Sequence, residues 1–190
     1  MKKNRIIILC GKSASGKDTI TQKLKDILGY EFIVSTTTRP IREGEKEGKP
    51  YYFIKNDEFV NLIENNKLIE YRTYNTLIDN TPDVWYYGVP KASISNNNSY
   101  IGVLDTVGLD GFKEHFGDRV LSFYIHVDDK ERERRAMKRG GFDKSEWDRR
   151  VIDDNIVFAN DVISKKIDHV VTNESINKTV INIMKKIDAS

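Results

Sequence analysis

Residues 5–20 read RIIILCGKSASGKDTI, and this stretch decides the fold. RIIILC (5–10) is a short continuous apolar run, the pattern of a strand covered on both faces. It stops abruptly at Gly11, and Gly16 and Lys17 complete a G-x-x-x-x-G-K spacing. Beyond it, Ile20, Leu24, Ile27 and Leu28 fall at helical intervals, with Gly29 as a stop. A glycine-framed turn that leads a strand into a helix points main-chain N–H groups inward. The helix N-terminus adds partial positive charge, so the turn is suited to an anion. The plain alternative is an ordinary strand-to-helix turn. Asp18 follows Lys17 where such loops usually carry a serine or threonine. Two readings of it stand: a carboxylate holding a water of a Mg²⁺ shell, or one stabilising the first helical turn through the macrodipole.

Working outward, the chain alternates strand and helix. YIGVL (100–104), VLSFYIHV (120–127) and IDHVVT (167–172) read as further buried strands. Helices are expected from about Asp128–Asp129, from about Ser145 with Ile152, Ile156, Ala159 and Ile163 on one face, and over Ile176, Val180, Ile183, Met184 and Ile187. This rhythm predicts an α/β fold, a parallel core sheet with helices on both faces. Residues 35–99 break it. They are rich in Tyr, Thr, Gly and Asn, carry a short amphipathic helix with Phe59, Leu62 and Ile63, and end in the polar turn SNNNS (95–99). They read as an insertion into a single domain of 190 residues whose core is 1–34, 100–134 and 151–190.

The balance of residues narrows the function. Hydrophobic residues make up 38%, enough for a core, and a net charge of +2 gives no general attraction to nucleic acid or anionic membrane. The apolar run after MKKNR is too short for an export signal, and nothing approaches a membrane span. Cys10 is the single cysteine, which suits a reducing, cytoplasmic compartment and an inert buried thiol. His115, His126 and His169 are scattered, and no Cys/His cluster suggests zinc.

A second anion site follows in STTTRPIREGEKEGKPYYF (35–53), where Arg39 and Arg42 lie three apart beside threonines and Tyr51. Rigid donors packed this closely suit a phosphate dianion, although a solvated basic loop has the same composition. Together the phosphate loop, STTTRPIREGE, GKPYYF, IEY (69–71), YYG (86–88) and RRAMKRG (134–140) resemble, in order, the guanylate kinase family across nearly the whole chain. The resemblance implies a P-loop NTPase-type nucleoside-monophosphate kinase fold. It further implies an acceptor-binding insertion, a mobile lid over about 135–150, ATP as donor, Mg²⁺, and GMP or dGMP as acceptor.

Carried over by motif, Gly11, Ser13, Ala14, Ser15, Gly16, Lys17, Asp18 and Thr19 would hold the ATP phosphates. Ser35, Arg39, Arg42 and Tyr51 would bind the acceptor phosphate, with Glu45 supporting the cluster and Tyr87 adding a hydroxyl. Glu70 would accept from the guanine N1–H and amino group. Asp105 would lie near the acceptor ribose or the metal waters, so Asp18 and Asp105 are the metal candidates, through water. Lys17, Arg135, Arg139 and Arg150 would surround the transferring phosphoryl, and Asn173 would lie beside the adenine.

Three departures stand out. Val89 replaces the hydroxyl residue that helps read the guanine O6. TLIDNTPDVW (76–85) adds residues on the expected base wall, where Asn75, Thr76 or Tyr86 is a candidate substitute donor. Val107 stands where the family often has an acid.

The chemistry agrees with these residue types. A nucleoside monophosphate is largely dianionic at neutral pH, so its oxygen needs no general base. Catalysis reduces to alignment and charge neutralisation. A lid of arginines would exclude water, and RGGF (139–142) offers a glycine hinge. In KERERRAMKRG, Lys130 and Arg132 read as a solvated helix face with Glu–Arg pairs. Trp85 and Trp147 read as core or surface anchors, with Trp85 placed to touch a base. Rival readings are a same-fold kinase for another base, a non-catalytic binding module, and nucleic-acid binding through the 130–150 basic run, which lacks aromatics and interleaves acids.

Overall fold

The computed structural model describes residues 4–49, 51–78 and 81–190, the side chains of 76–78, 81 and 82 excepted. In chain order the first half contains β1 (Ile6–Cys10), α1 (Lys17–Leu28), β2 (Glu31–Phe32), β3 (Ser35–Thr37), β4 (Tyr51–Phe53), α2 (Asn56–Glu64), β5 (Leu68–Ile78) and β6 (Thr81–Pro90). The second half contains β7 (Tyr100–Val103), α3 (Thr106–Phe116), β8 (Val120–His126), α4 (Asp129–Lys138), α5 (Lys144–Val157), α6 (Asn160–Lys166), β9 (His169–Thr172) and α7 (Ile176–Asp188). The chain forms two compact units, one of Met1–Glu31 with Ser99–Ser190 and one of Phe32–Asn98.

The first unit is built on a sheet of order β2-β7-β1-β8-β9. β1 pairs in parallel with β7 and β8, and β8 with β9. Every residue of β1 is fully buried, which is why it reads as unbroken apolar sequence. Its alternate residues serve two cores. Ile7 and Leu9 join Ile20, Leu24, Val180, Ile183 and Ile187 in one cluster beneath α1 and α7. Ile6, Ile8 and Cys10 point to the other face, where α3 buries Leu109 and Phe112. Because β1 is central, the loop that follows it emerges at the C-terminal edge of the sheet between two parallel neighbours, where open α/β sheets carry their ligands.

Two sequence expectations are corrected here. The single helix expected from Ser145 through Ile163 is two helices, broken at Phe158 (φ −115°, ψ 43°) and at Ala159, which is extended. Its apolar stripe is not the buried one, since Ile152 and Ile156 are 61% and 69% exposed. The inward face of α5 runs through Trp147, Val151, Asp154 and Phe158, so an acid inside the stripe conceals the period. Ile27 also faces solvent. The sequence reading had not singled out α3, whose apolar content is diluted by Gly108 and Gly111 and whose start is capped by Asp105.

The second unit is a sheet of order β4-β3-β6-β5. Direct pairing sets its two faces. Ser35 pairs with Tyr51, Thr37 with Phe53 and Tyr87, Arg72 with Tyr87, and Glu70 with Val89, so these residues share one face. The opposite face is covered by α2, whose fully buried Phe59 packs 5.2 Å from the Tyr86 ring. Gly88 is required there, because a methyl group would lie 2.7 Å from the Glu70 carbonyl oxygen and 3.0 Å from Phe59. Residues 79 and 80 of the added stretch and the Thr76 side chain lie outside the described residues.

Candidate active site

The loop from Gly11 to Lys17 is shaped by close approaches. A methyl group at Gly11 would lie 2.9 Å from the Ile125 carbonyl oxygen and 2.9 Å from Ser15 Oγ. Gly16 has φ +87°, and a methyl group there would meet Asn173 Nδ2 at 2.8 Å. Ala14, which is not a glycine, sits at φ +60°. Such a backbone costs roughly 1–2 kcal/mol and persists only where the surroundings impose it.

Those surroundings are visible. Asn173, itself buried, donates from Nδ2 to the Ser15 carbonyl at 2.8 Å and accepts from Thr179 Oγ1 at 3.1 Å. On the other side, Ser13 donates its N–H to Asp154 Oδ2 at 2.6 Å.

Two groups inside the loop lack the partners that burial normally demands. Ser15 Oγ is fully buried and bonds to nothing among the described residues. The Lys17 ammonium has only the Lys12 carbonyl, at 3.5 Å, beyond an ordinary hydrogen bond. Burial holds the Lys17 pKa below its usual value, opposed by the carboxylates of Asp18 and Asp154. A cation and a hydroxyl left in this condition at a helix N-terminus fit a bound anion. Beneath them the Cys10 thiol, pushed up to about 12 by burial and then by Asp105, is protonated and inert.

Arginines gather over the loop. A hollow of about 720 Å³ is lined by Gly16, Thr19, Arg135, Arg139 and Asn173. A smaller one of about 210 Å³ is lined by Ser13, Ala14, Arg139, Trp147 and Arg150. Arg135 donates Nε to Glu131 and Nη2 to the Asn173 carbonyl, while Arg150 donates Nε to Glu146. Arg135 and Arg150 are therefore each held by a local carboxylate while lining a hollow beside the loop.

Arg132 departs from the sequence reading. It is not on a solvated face but fully buried, bonded to Asp129, to Asp154 and to the Ser13 carbonyl, and stacked 5.5 Å from the Trp147 ring. Its partner Asp154 lies 22 residues away, and nothing in the local sequence signals it. Trp147, buried against Arg132 and Phe142, is a core anchor. Lys130 is exposed as expected.

The remaining candidates divide. Asp18 is exposed in the first turn of α1 and lines neither hollow. Asp105 caps α3, its Oδ1 accepting from the N–H groups of Val107 and Gly108. The Asn173 side chain is engaged by Ser15 and Thr179, and Asn173 lines the larger hollow.

In the second unit the expected residues form one cluster. Arg39, 4% exposed, donates Nη2 to both oxygens of Glu45 at 2.8 and 3.0 Å. Its guanidinium lies 5.6 Å from the Tyr51 ring and 5.5 Å from that of Phe53. Tyr51 meets Tyr87 edge-on at 5.6 Å. The Arg42 N–H donates to Glu45, and its side chain is exposed. The Arg39 bond, then the Arg42 N–H, hold the Glu45 carboxyl below its usual range, and the same bond holds Arg39 above its own. Burial, then neighbouring Tyr87, raises Tyr51, so its hydroxyl stays a protonated donor. Ser35 opens β3 on the same face.

Glu70 lies on that face, 3.5 Å from Arg72 Nη1. Val89 sits opposite Glu70 but has no exposed surface, so it offers packing and no contact to a ligand. The Trp85 indole N–H is buried without a partner among the described residues.

A parallel sheet, a glycine-framed loop after its central strand, a half-buried lysine at the following helix and arginines around that loop define a nucleotide-binding protein of the P-loop NTPase type. Comparison with known proteins narrows this. The family model for guanylate kinase matches residues 3–190. The guanylate kinase of Prochlorococcus marinus is 31% identical over 96% of this chain and 96% of its own. That of Anaplasma phagocytophilum is 33% identical over 94% of this chain and 83% of its own. The crystal structure of the Anaplasma phagocytophilum enzyme superposes with a TM-score of 0.68, covering 100% of this chain and 87% of that one at 26% identity. The chain belongs to the guanylate kinase family, which comprises ATP-dependent nucleoside-monophosphate kinases.

Proposed function

We propose that the protein transfers the γ-phosphoryl of ATP to GMP or dGMP, giving ADP and GDP or dGDP, and that it does so in the cytoplasm. The observation that carries this reading is the half-buried Lys17 ammonium, which among the described residues has only a distant carbonyl, beside a Ser15 hydroxyl with no partner there, in a loop of inward N–H groups. Among the described residues no helix is long and apolar enough to cross a membrane.

In the step itself an acceptor phosphate oxygen bonds to the γ-phosphorus as the bond to the β–γ bridging oxygen breaks. No proton moves, because the acceptor is already a dianion. Loop N–H groups and Lys17 hold the donor. Arg135, Arg139 and Arg150 are placed to neutralise the phosphoryl in flight. Arg39, pre-oriented by Glu45, together with Arg42, Tyr51, Tyr87 and Ser35 binds the acceptor phosphate, and Glu70 accepts from the guanine edge.

The described residues form no group of three acidic, histidine or cysteine side chains around a metal site. Mg²⁺ would be held chiefly by the nucleotide phosphates, with Asp18 and Asp105 as candidate contacts through water. When bound, the ion would add charge neutralisation across the phosphates.

A second reading, another purine or pyrimidine monophosphate as acceptor, is favoured by one observation: Val89, on the acceptor face, is apolar and buried. A coupled ADP-release assay with all common ribo- and deoxyribonucleoside monophosphates decides between them. GMP or dGMP is expected to give the highest kcat/KM. A better acceptor among the others moves the assignment to the second reading, and absence of turnover with every one refutes the kinase reading.

A further inference from the structure

Ser13 is gripped at both ends by one ion pair. Its N–H donates to Asp154 Oδ2 at 2.6 Å, and its carbonyl accepts from Arg132 Nη1 at 2.9 Å. The two side chains meet each other at 3.3 Å. Arg132 is fixed further by Asp129 and by the Trp147 ring, and Lys12 adds a parallel tie from its Nζ to Asn155 Oδ1 at 2.6 Å. The next residue is Ala14, in a left-handed conformation that alanine does not choose.

We propose that Arg132 and Asp154 are positioning residues for the phosphoryl donor. By holding the Ser13 peptide units they impose the turn at Ala14, so that loop N–H groups converge before nucleotide arrives. This rests on the reading of the loop as the ATP site.

Two physical points separate this role from mere support. A buried ion pair is a poor stabilising device, and apolar replacements of similar volume often serve the fold equally well. What apolar side chains cannot do is bond the Ser13 N–H and carbonyl. A lone carboxylate at Ser13 would also repel a triphosphate, and Arg132 cancels that charge. Losing Arg132 alone is therefore expected to be worse for ATP than losing both.

The test uses the full chain and four variants: Arg132→Leu, Asp154→Ala, Asp154→Asn and the double variant Arg132→Leu/Asp154→Ala. Thermal melting, calorimetric ATP binding without acceptor, acceptor KM and amide hydrogen exchange at residues 13–16 are measured. The double variant is expected to stay folded, to bind ATP about tenfold more weakly, and to exchange its loop amides faster with acceptor KM unchanged. Arg132→Leu is expected to lose more ATP affinity than the double variant. Asp154→Asn, which keeps an oxygen for the Ser13 N–H, is expected to stay within about threefold of the parent where Asp154→Ala does not. A folded double variant with parental ATP affinity and loop exchange overturns the inference and leaves the kinase reading intact. A parent chain that binds no ATP overturns both.

Discussion

Replacing Lys17 by methionine should move stability and activity in opposite directions. The ammonium is half-buried, its nearest partner is a carbonyl at 3.5 Å, and burial holds its pKa below the usual lysine value. The folded state therefore carries the charge at a cost, about 1.4 kcal/mol for each unit of lowering, softened by solvent and by Asp18 and Asp154. Methionine keeps most of the stem and removes the charge. The free protein should gain stability, read as a rise in melting temperature. In turnover the same change removes a charge aimed at the donor phosphates. Loss of one such preorganised contact lowers kcat by about 10²–10³. Thermal unfolding of the free protein and coupled ADP release at saturating acceptor measure the two effects. Turnover within threefold of the parent would refute the placement of phosphates on this loop. A melting temperature several degrees lower would refute the argument that the charge is held against the fold.

ATP affinity should fall on the alkaline side earlier than a free lysine would dictate, because the Lys17 proton leaves below the usual 10.5. Between its folded and unfolded values the unfolded chain holds more protons, so the Lys17 share of stability rises with pH over that window. Calorimetry from pH 7 to 10 checks this, and a flat affinity across it, or an equal decline in Lys17→Arg, counts against it. Arg39→Ala should raise the acceptor KM about tenfold to a hundredfold, the range for charge-assisted bonds, with the ATP KM unchanged; an unchanged acceptor KM removes Arg39 from that site.

The parts of the molecule legible in the sequence are those with local signals. β1, the loop and the head of α1 follow from an apolar run, two glycines and a lysine in succession. The cluster of Arg39, Arg42, Glu45, Tyr51 and Tyr87 follows from motif order, and the sheet assembles it by putting Tyr51, Phe53 and Tyr87 on one face. Arg132 was hidden because a run of alternating acids and bases looks solvated when the neutralising partner is 22 residues away on another helix. The inward face of α5 was hidden for the same reason, with Asp154 standing where an apolar residue would mark it. The four-stranded sheet of the second unit gives no long apolar run. Its strands mix Tyr, Thr and charged residues because one face holds polar side chains and the other meets α2 mainly through Phe59. Motif order puts Asn173 in the site, but no local signal reports that its amide is engaged by Ser15 and Thr179.

That bond between Asn173 and Ser15 joins residues 158 positions apart. During synthesis the glycine turn leaves the ribosome well before the amide that closes it, which comes just after β9. A nascent or prematurely terminated chain can lay down β1 and α1 without ever acquiring the bond that closes the turn.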